Sequence, residues 1–317
     1  MTKTLYIVIP CYNEEEVLKE TSARLHEKML RMIDTGLVSH NSKIMFVNDG
    51  SKDNTWKIIE QLHFNNPIFS GVNLSRNRGH QNALFAGLMT AMQLADVTIS
   101  MDADLQDDIE VLDEFMQMYY DGCDIVYGVR SDREKDTIFK RLSAQGFYKI
   151  MEKLGGGNMI FNHADYRLMS KRALEGLSSF REVNLFLRGI VPLIGFKTGI
   201  VKYSRGERFA GVSKYPLKKM IAFAWDGISS FSVSPIRFIV KLGFIVFFIS
   251  LLFMLYSFVR HFMGQTVPGW TMIMLSLWML GGIQILALGI VGEYIGKIYS
   301  EVKDRPRYII EKILNKL

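Results

Sequence analysis

The chain has 317 residues, of which 49% are hydrophobic and 22% charged, and its formal net charge is +6. That length allows one large or two small domains; two cysteines without a CxxC pattern argue against a disulfide scaffold or a zinc site, and the lack of a basic stripe with interleaved aromatics argues against nucleic-acid binding. Charge is mixed up to about Lys219 but almost absent from Phe238 to Val291, which predicts a soluble α/β domain joined to a membrane anchor, with a basic excess suited to an anionic membrane surface.

Leu5-Tyr6-Ile7-Val8-Ile9 is a continuous apolar run stopped by Pro10, as expected of a central parallel strand. It is too short for a signal peptide and is followed by three glutamates. The turn Pro10-Cys11-Tyr12-Asn13-Glu14-Glu15 then precedes an amphipathic helix to about Ile33, at the sheet edge where open α/β sheets bind ligands. A helix cap by Asn13 fits the same residues. Ile44 to Val47 predicts a second strand, running into Asn48-Asp49-Gly50-Ser51-Lys52-Asp53-Asn54-Thr55 and a helix from Trp56 to Leu62. Here Asp49 suits hydrogen bonding to a base or ribose, and Asp53 or Thr55 suits capping. Ser70 to Leu74 predicts a third strand, ending in the cationic loop Ser75 to Asn82 before a helix from Ala83 to Leu94. His80 in that loop reads as a solvated or capping histidine.

Val97 to Met101 reads as a buried strand that ends abruptly in carboxylates, Asp102-Ala103-Asp104-Leu105-Gln106-Asp107-Asp108. On an extended backbone Asp102, Asp104 and Gln106 face one way, a row of oxygen ligands suited to Mg²⁺ or Mn²⁺ with phosphate oxygens completing the shell. An acidic turn leading into a helix from Ile109 to Tyr119 is the competing reading, and it is preferred for Asp107 and Asp108. Four strand-turn-helix units with polar turns on one edge predict a doubly wound nucleotide-binding domain, although neither GxGxxG nor GxxxxGK[ST] occurs.

Asp124 to Gly128 predicts a further strand, and Arg130 at its end offers a planar fork for phosphate. A basic helical pattern from Ile138 to Leu154, a hinge at Gly155-Gly156-Gly157 and a helix from Lys171 follow; between them Asp165 reads as either a cap or a catalytic carboxylate. Ile200 to Tyr203 is strand-like, and Leu217 to Phe231 suits an amphipathic helix in the membrane interface. Phe238 to Val259 and Trp270 to Val291 are each about 22 residues long, enough to span a ~30 Å hydrocarbon core. Arg237 and Lys241 precede the first, and Lys297, Lys303, Arg305, Arg307 and Lys312 follow the second, so both flanks are expected to be cytoplasmic. The expected organisation is a cytosolic catalytic domain at 1–213, interfacial helices at 214–235, two transmembrane helices within 236–296, and a basic cytosolic tail at 297–317. Gly281-Gly282 and Gly289/Gly292 permit close helix approach and suggest a homo-oligomer.

With these residues assembled, the chain resembles the family 2 inverting glycosyltransferases, and more narrowly the polyprenyl-phosphate enzymes similar to dolichol-phosphate mannose synthase and the bactoprenol glucosyltransferases. Pro10 to Glu15, Asn48 to Thr55, Asp102 to Asp107, Asp165-Tyr166-Arg167-Leu168-Met169 and Arg208-Phe209-Ala210-Gly211-Val212-Ser213-Lys214 match the motifs in order. The resemblance implies a GT-A (Rossmann-like) fold, a nucleotide-sugar donor, a polyprenyl-phosphate acceptor and a multi-pass protein of the bacterial plasma membrane. It also implies a downstream flippase and a periplasmic or extracellular glycosyltransferase. By the same resemblance Pro10, Tyr12, Asn13, Glu14, Asp49 and Asp102 would bind the nucleotide sugar, and Asp102, Asp104 and Gln106 the metal. Asp104 would act with Asp165 in catalysis, Asp165 matching a position proposed as base, and Arg130, Arg141, Ser143 and Arg208 would bind the acceptor phosphate. UDP-glucose is the expected donor. The loop Asn77-Arg78-Gly79-His80-Gln81 stands where many relatives carry an Asn-Phe-Gly-Lys-Glu type of sequence, so other UDP-hexoses, an aminoarabinose donor and GDP-mannose stay open.

Rival classes are less well matched. A processive polysaccharide synthase calls for a Gln-x-x-Arg-Trp motif and more spans, and a transporter for an intramembrane ion pair. A non-catalytic nucleotide-sugar-binding partner need not keep Asp102, Asp104 and Asp165 together.

Overall fold

The computed structural model describes residues 2–131, 163–183, 185–204, 206 and 269–315, with scattered positions between 236 and 256. The chain divides into two units: one comprises Met1–Glu152, Gly157–Pro216 and Arg305–Leu317, the other Lys153–Gly156 and Leu217–Asp304.

The first unit is built on an eight-stranded sheet in the order β7-β5-β6-β4-β1-β2-β3-β8. Its strands are β1 (Leu5–Cys11), β2 (Lys43–Asn48), β3 (Phe69–Leu74), β4 (Val97–Ser100), β5 (Ile125–Arg130), β6 (His163–Ser170), β7 (Thr198–Tyr203) and β8 (Ile310–Leu314). β1 is buried along its whole length between β2 and β4, as its unbroken apolar sequence requires. Pro10 lies inside β1, opposite Val47, and does not end it. Pairing with β4 stops at Val8–Ser100, so the missing proline N–H falls where that side of β1 has no neighbour.

Helices α1 (Leu18–Asp34), α2 (Thr55–Asn65), α3 (His80–Met92) and α4 (Leu112–Tyr120) connect the first five strands. α3 is apolar nearly all round and packs tightly on the sheet: a Cβ on Gly87 would lie 2.5 Å from the side chains of both Val8 and Val47. Helix α5 (Lys171–Ser178) follows β6 and is capped by Ser170, whose hydroxyl accepts the Ala173 N–H; a short turn of helix, α6 (Leu187–Ile190), precedes β7. Asp165 therefore caps no helix; it lies inside β6, which runs antiparallel to both neighbours.

The C-terminal segment is more ordered than a basic tail. β8 pairs antiparallel with β3, Lys312 bonds Glu60, Asn73 bonds Glu311, and Arg307 stacks over Phe85 at 4.7 Å while donating to the Phe180 carbonyl at 2.6 Å.

In the second unit α7 spans Trp270–Val302 and continues past the expected end at Val291, with no proline between Trp270 and Pro306 to break it. Its segment Met279–Val302 is long and apolar enough to cross a membrane. Residues 239–245 of the expected first span are helical; most of that span, and the expected interfacial helices, lie outside the described residues.

Candidate active site

Six strands deliver their C-terminal ends, and β6 its N-terminal end, to one edge of the sheet. At that edge the loops after β1 and β2 are laced together. Asn13, at φ 55°, donates its N–H to Ser51 Oγ (3.0 Å), and its Oδ1 accepts the Lys52 N–H (2.9 Å). The Glu14 N–H reaches Thr55 Oγ1 at 2.9 Å, while Asp53 accepts the N–H groups of Glu15 and Thr55. Asn13 thus ties two loops and does not cap α1, and the N-cap position of α2 is held by Asn54, with Asp53 one residue ahead of it accepting the N–H of Thr55. Burial works to raise the Asp53 carboxyl, but these hydrogen bonds outweigh it and hold the group below its ordinary value.

Asp49 is buried and its two oxygens accept the backbone N–H groups of Arg78 (2.7 Å) and Gly79 (2.9 Å), anchoring the loop after β3. Burial pushes its carboxyl up, against those two donors. Gly50 makes the crowding tolerable: at φ +63°, a Cβ there would lie 2.5 Å from the Asn77 backbone nitrogen. Of the residues expected to bind the nucleotide sugar, Pro10 lies near the end of β1, Tyr12, Asn13 and Glu14 follow it on the next loop, Asp49 stands on the neighbouring loop after β2 and Asp102 just beyond β4, with Tyr12 exposed.

The carboxylate row differs from its expected geometry. β4 ends at Ser100, and residues 103–105 form a turn with Leu105 at φ 57°, so strand alternation does not align Asp102, Asp104 and Gln106. Asp104 Oδ1 accepts the Gln106 N–H at 3.2 Å, and Thr21 Oγ1 holds the Ala103 carbonyl at 2.7 Å. Asp102 is pushed up by burial and by the nearby charges of Asp165 and Asp104, with His80 working the other way.

Asp107 does not cap α4, which begins at Leu112. It is buried, accepts the Tyr203 hydroxyl at 2.6 Å and has its carboxyl pushed up to about 6 by burial and by Asp102. Its second oxygen is buried without a hydrogen-bond partner among the described residues.

Register explains how Asp165 reaches this row. Ser100, the last residue of β4, pairs with Arg167 in an antiparallel ladder and its hydroxyl donates to the Asp165 carbonyl at 2.5 Å, so Asp165 lies beside the end of β4, from which the Asp102 segment departs. Asp165 is buried and accepts from Arg167 Nη2 (2.8 Å), Arg188 Nη2 (3.2 Å) and Gln81 Nε2 (3.3 Å), with His80 Nε2 also at 3.3 Å. Burial alone would raise its carboxyl; Arg188, His80 and Arg167 overcome that and hold it well below the usual carboxylate range. His80 begins α3, lies 3.8 Å from Asp102, and is raised despite burial because both carboxylates favour its charged form.

Arg130 Nε donates to Tyr203 Oη at 3.3 Å. Arg141, Ser143 and Arg208 lie outside the described residues. Reasoning from sequence did not assign Gln81, Arg167, Arg188 or Tyr203 to the site, and gave His80 and Asp107 other roles. Arg167 lies within a quoted motif and His80-Gln81 within a loop placed at the correct edge, whereas Arg188 carries no local signal.

No three His, Cys, Asp or Glu side chains converge to hold a metal by themselves among the described residues. The donor set still fits a hard divalent cation: two acidic side chains at the edge, one of them raised by burial and then by its like-charged neighbours, match an ion that takes its other ligands from phosphate and water.

Residues 6–178 match the family model described as Glycosyl transferase family 2, and residues 234–298 match that of the GtrB C-terminal hairpin. The chain is 54% identical to the uncharacterized glycosyltransferase YkoT of Bacillus subtilis, over 97% of this chain and 91% of that protein. It is 39% identical to the SfII prophage-derived bactoprenol glucosyl transferase of Shigella flexneri, over 96% and 97%. Among solved structures it is similar to the mannosyltransferase PcManGT of Pyrobaculum calidifontis (TM-score 0.45, 13% identity, 96% of this chain and 89% of that one).

Proposed function

Because this chain belongs to glycosyl transferase family 2 and has its GT-A fold, we propose that it transfers a hexose, with inversion, from a nucleoside diphosphate sugar to polyprenyl phosphate at a bacterial plasma membrane. The observation that carries this reading is the meeting of opposite charges at one sheet edge: Asp102 and Asp104 on one side, Arg130 on the other, and the compensated Asp165 between the sheet's two halves. Similarity to a bactoprenol glucosyl transferase over nearly the full length of both chains, including the hairpin, supports the lipid acceptor and glucose as the sugar; UDP-glucose is the donor we take for it. The match to a hairpin family supports two membrane spans with both flanks on one side, and the basic residues on those flanks support a cytoplasmic catalytic unit and termini.

In this mechanism an acceptor phosphate oxygen attacks the anomeric carbon as the bond from that carbon to the nucleoside diphosphate oxygen breaks on the opposite face. A phosphate monoester has a second pKa of about 6 and is largely dianionic at pH 7, so it needs no strong base. The environment of Asp165 agrees: a carboxylate held by Arg167, Arg188 and His80 is a poor proton acceptor and a good orienting group. Asp102 and Asp104, with Gln106, would hold Mg²⁺ or Mn²⁺, which when bound offsets charge on the departing diphosphate. Arg130 aligns the anionic acceptor, and the loops of Asn13 and Asp49 hold the nucleoside.

Transfer from radiolabelled UDP- and GDP-sugars to undecaprenyl phosphate in detergent, with either metal, tests the reading. One donor is expected to give a metal-dependent glycolipid that Asp104→Ala reduces at least 100-fold. Donor hydrolysis or binding without any lipid product would remove the acceptor assignment.

A further inference from the structure

We propose that Tyr203 and Asp107 form a positioning pair that holds Arg130 in the direction required to receive the acceptor phosphate. This deepens the preceding reading and rests on its assignment of Arg130 to the acceptor. Arginine has a long, rotatable stem, and an unsupported one loses considerable freedom when it captures a ligand. Arg130 is supported. It sits at the last position of β5, in register with Tyr203 at the last position of β7, so the two side chains emerge from adjacent parallel strands. The strand ends are pinned there: the Ser131 N–H and Oγ both bond the Tyr203 carbonyl, at 2.9 and 3.0 Å.

The order of donation is directional. Tyr203 gives its only hydroxyl proton to Asp107 Oδ1 at 2.6 Å, a short charge-assisted bond, which leaves the oxygen lone pairs to accept from Arg130 Nε at 3.3 Å. Arg130 Nη2 is 3.9 Å from Asp107 Oδ1, beyond hydrogen-bond reach, so the pair grips the inner nitrogen and does not consume the outer fork. That fork is the part of arginine that matches a phosphate bidentately. Asp107 follows directly after Gln106, so one short segment sets both the carboxylate row and the acceptor arginine. The ring of Tyr203 is seated independently, edge-on to Tyr166 at 5.2 Å, so Tyr203→Phe deletes the hydroxyl while keeping the packing.

The test is direct binding to the purified full-length protein, with undecaprenyl phosphate and UDP measured separately, for the wild type, Tyr203→Phe, Arg130→Ala and the double variant. Tyr203→Phe is expected to weaken undecaprenyl phosphate about tenfold with UDP affinity unchanged, and to cost nothing further once Arg130 is alanine, because the pair acts only through that residue. Asp107→Asn, which still offers Tyr203 an acceptor oxygen, is expected to keep more acceptor affinity than Asp107→Ala; this second series serves if Tyr203→Phe lowers the melting temperature. Unchanged acceptor affinity in Tyr203→Phe, or losses that multiply in the double variant, would overturn the positioning role while leaving the acceptor reading intact. Wild-type protein that binds UDP but not undecaprenyl phosphate would overturn both.

Discussion

Two groups of carboxylates share one sheet edge and have been treated in opposite ways. Asp165 is buried and surrounded: Arg167, Arg188 and His80 bring positive charge to it, and Gln81 adds a neutral donor. Asp102, by contrast, is faced by His80 at 3.8 Å while Asp165 and Asp104 repel it, and Asp107 keeps one buried oxygen without a described partner. A buried carboxylate that already has its cations is part of the scaffold, and breaking such a pair leaves several charges uncompensated. Carboxylates gathered with less cationic charge beside them are costly to the fold, and such groups are characteristic of ligand sites.

Removing the compensated acid should have the largest effect. Asp165→Ala strands Arg167, which is fully buried, and should destabilise the catalytic unit by about 3–5 kcal/mol, read from denaturant unfolding, with transfer lost as well. A loss below about 1 kcal/mol would mean that the two groups do not differ in the way proposed. The pH dependence of unfolding should separate them next. The Asp165 carboxyl is depressed on folding, so its stabilisation is complete above its unfolded value of 3.8 and disappears as pH falls through the lower folded value. Asp102 is raised, so folding binds protons there and its effect runs the other way: stability declines as pH rises from 3.8 through the raised value. Subtracting the Asp165→Asn profile from that of the wild type should therefore leave a difference that shrinks only on acidification. The smallest stability change should come from Asp102→Asn, measured without metal. Loss of like-charge repulsion at a partly exposed group should leave the melting temperature level or slightly raised, although transfer is abolished.

Much of this arrangement was legible in the sequence because unbroken apolar runs ending in polar turns identify parallel strands and their ligand-binding edge. β1 and β2 show this most directly; β3, β4, β5 and β7, with the carboxylates after β4 and Arg130 at the end of β5, are legible from shorter or interrupted apolar runs. The compensation of Asp165 was not legible. It depends on β6 entering antiparallel between β4 and β5, and on Arg188 arriving from α6, and neither relation has a local signature. Asp102 and Asp104 do not follow strand alternation because β4 ends at Ser100 and the backbone turns at 103–105. β8 was read as a tail because five residues containing a glutamate and a lysine carry little strand signal until β3 is known to be their neighbour.

That last pairing bears on how the molecule is made. The strand that covers β3 is more than 200 residues downstream of it, beyond residues 234–298 that match the hairpin family, so ribosomal synthesis delivers β3 long before its partner. Until then β3 presents an unpaired outer edge, the feature by which sheets recruit wrong partners. Completion of the catalytic sheet is thereby deferred until the membrane segment has been synthesised, and a fragment cut ahead of the hairpin would inherit the open edge permanently.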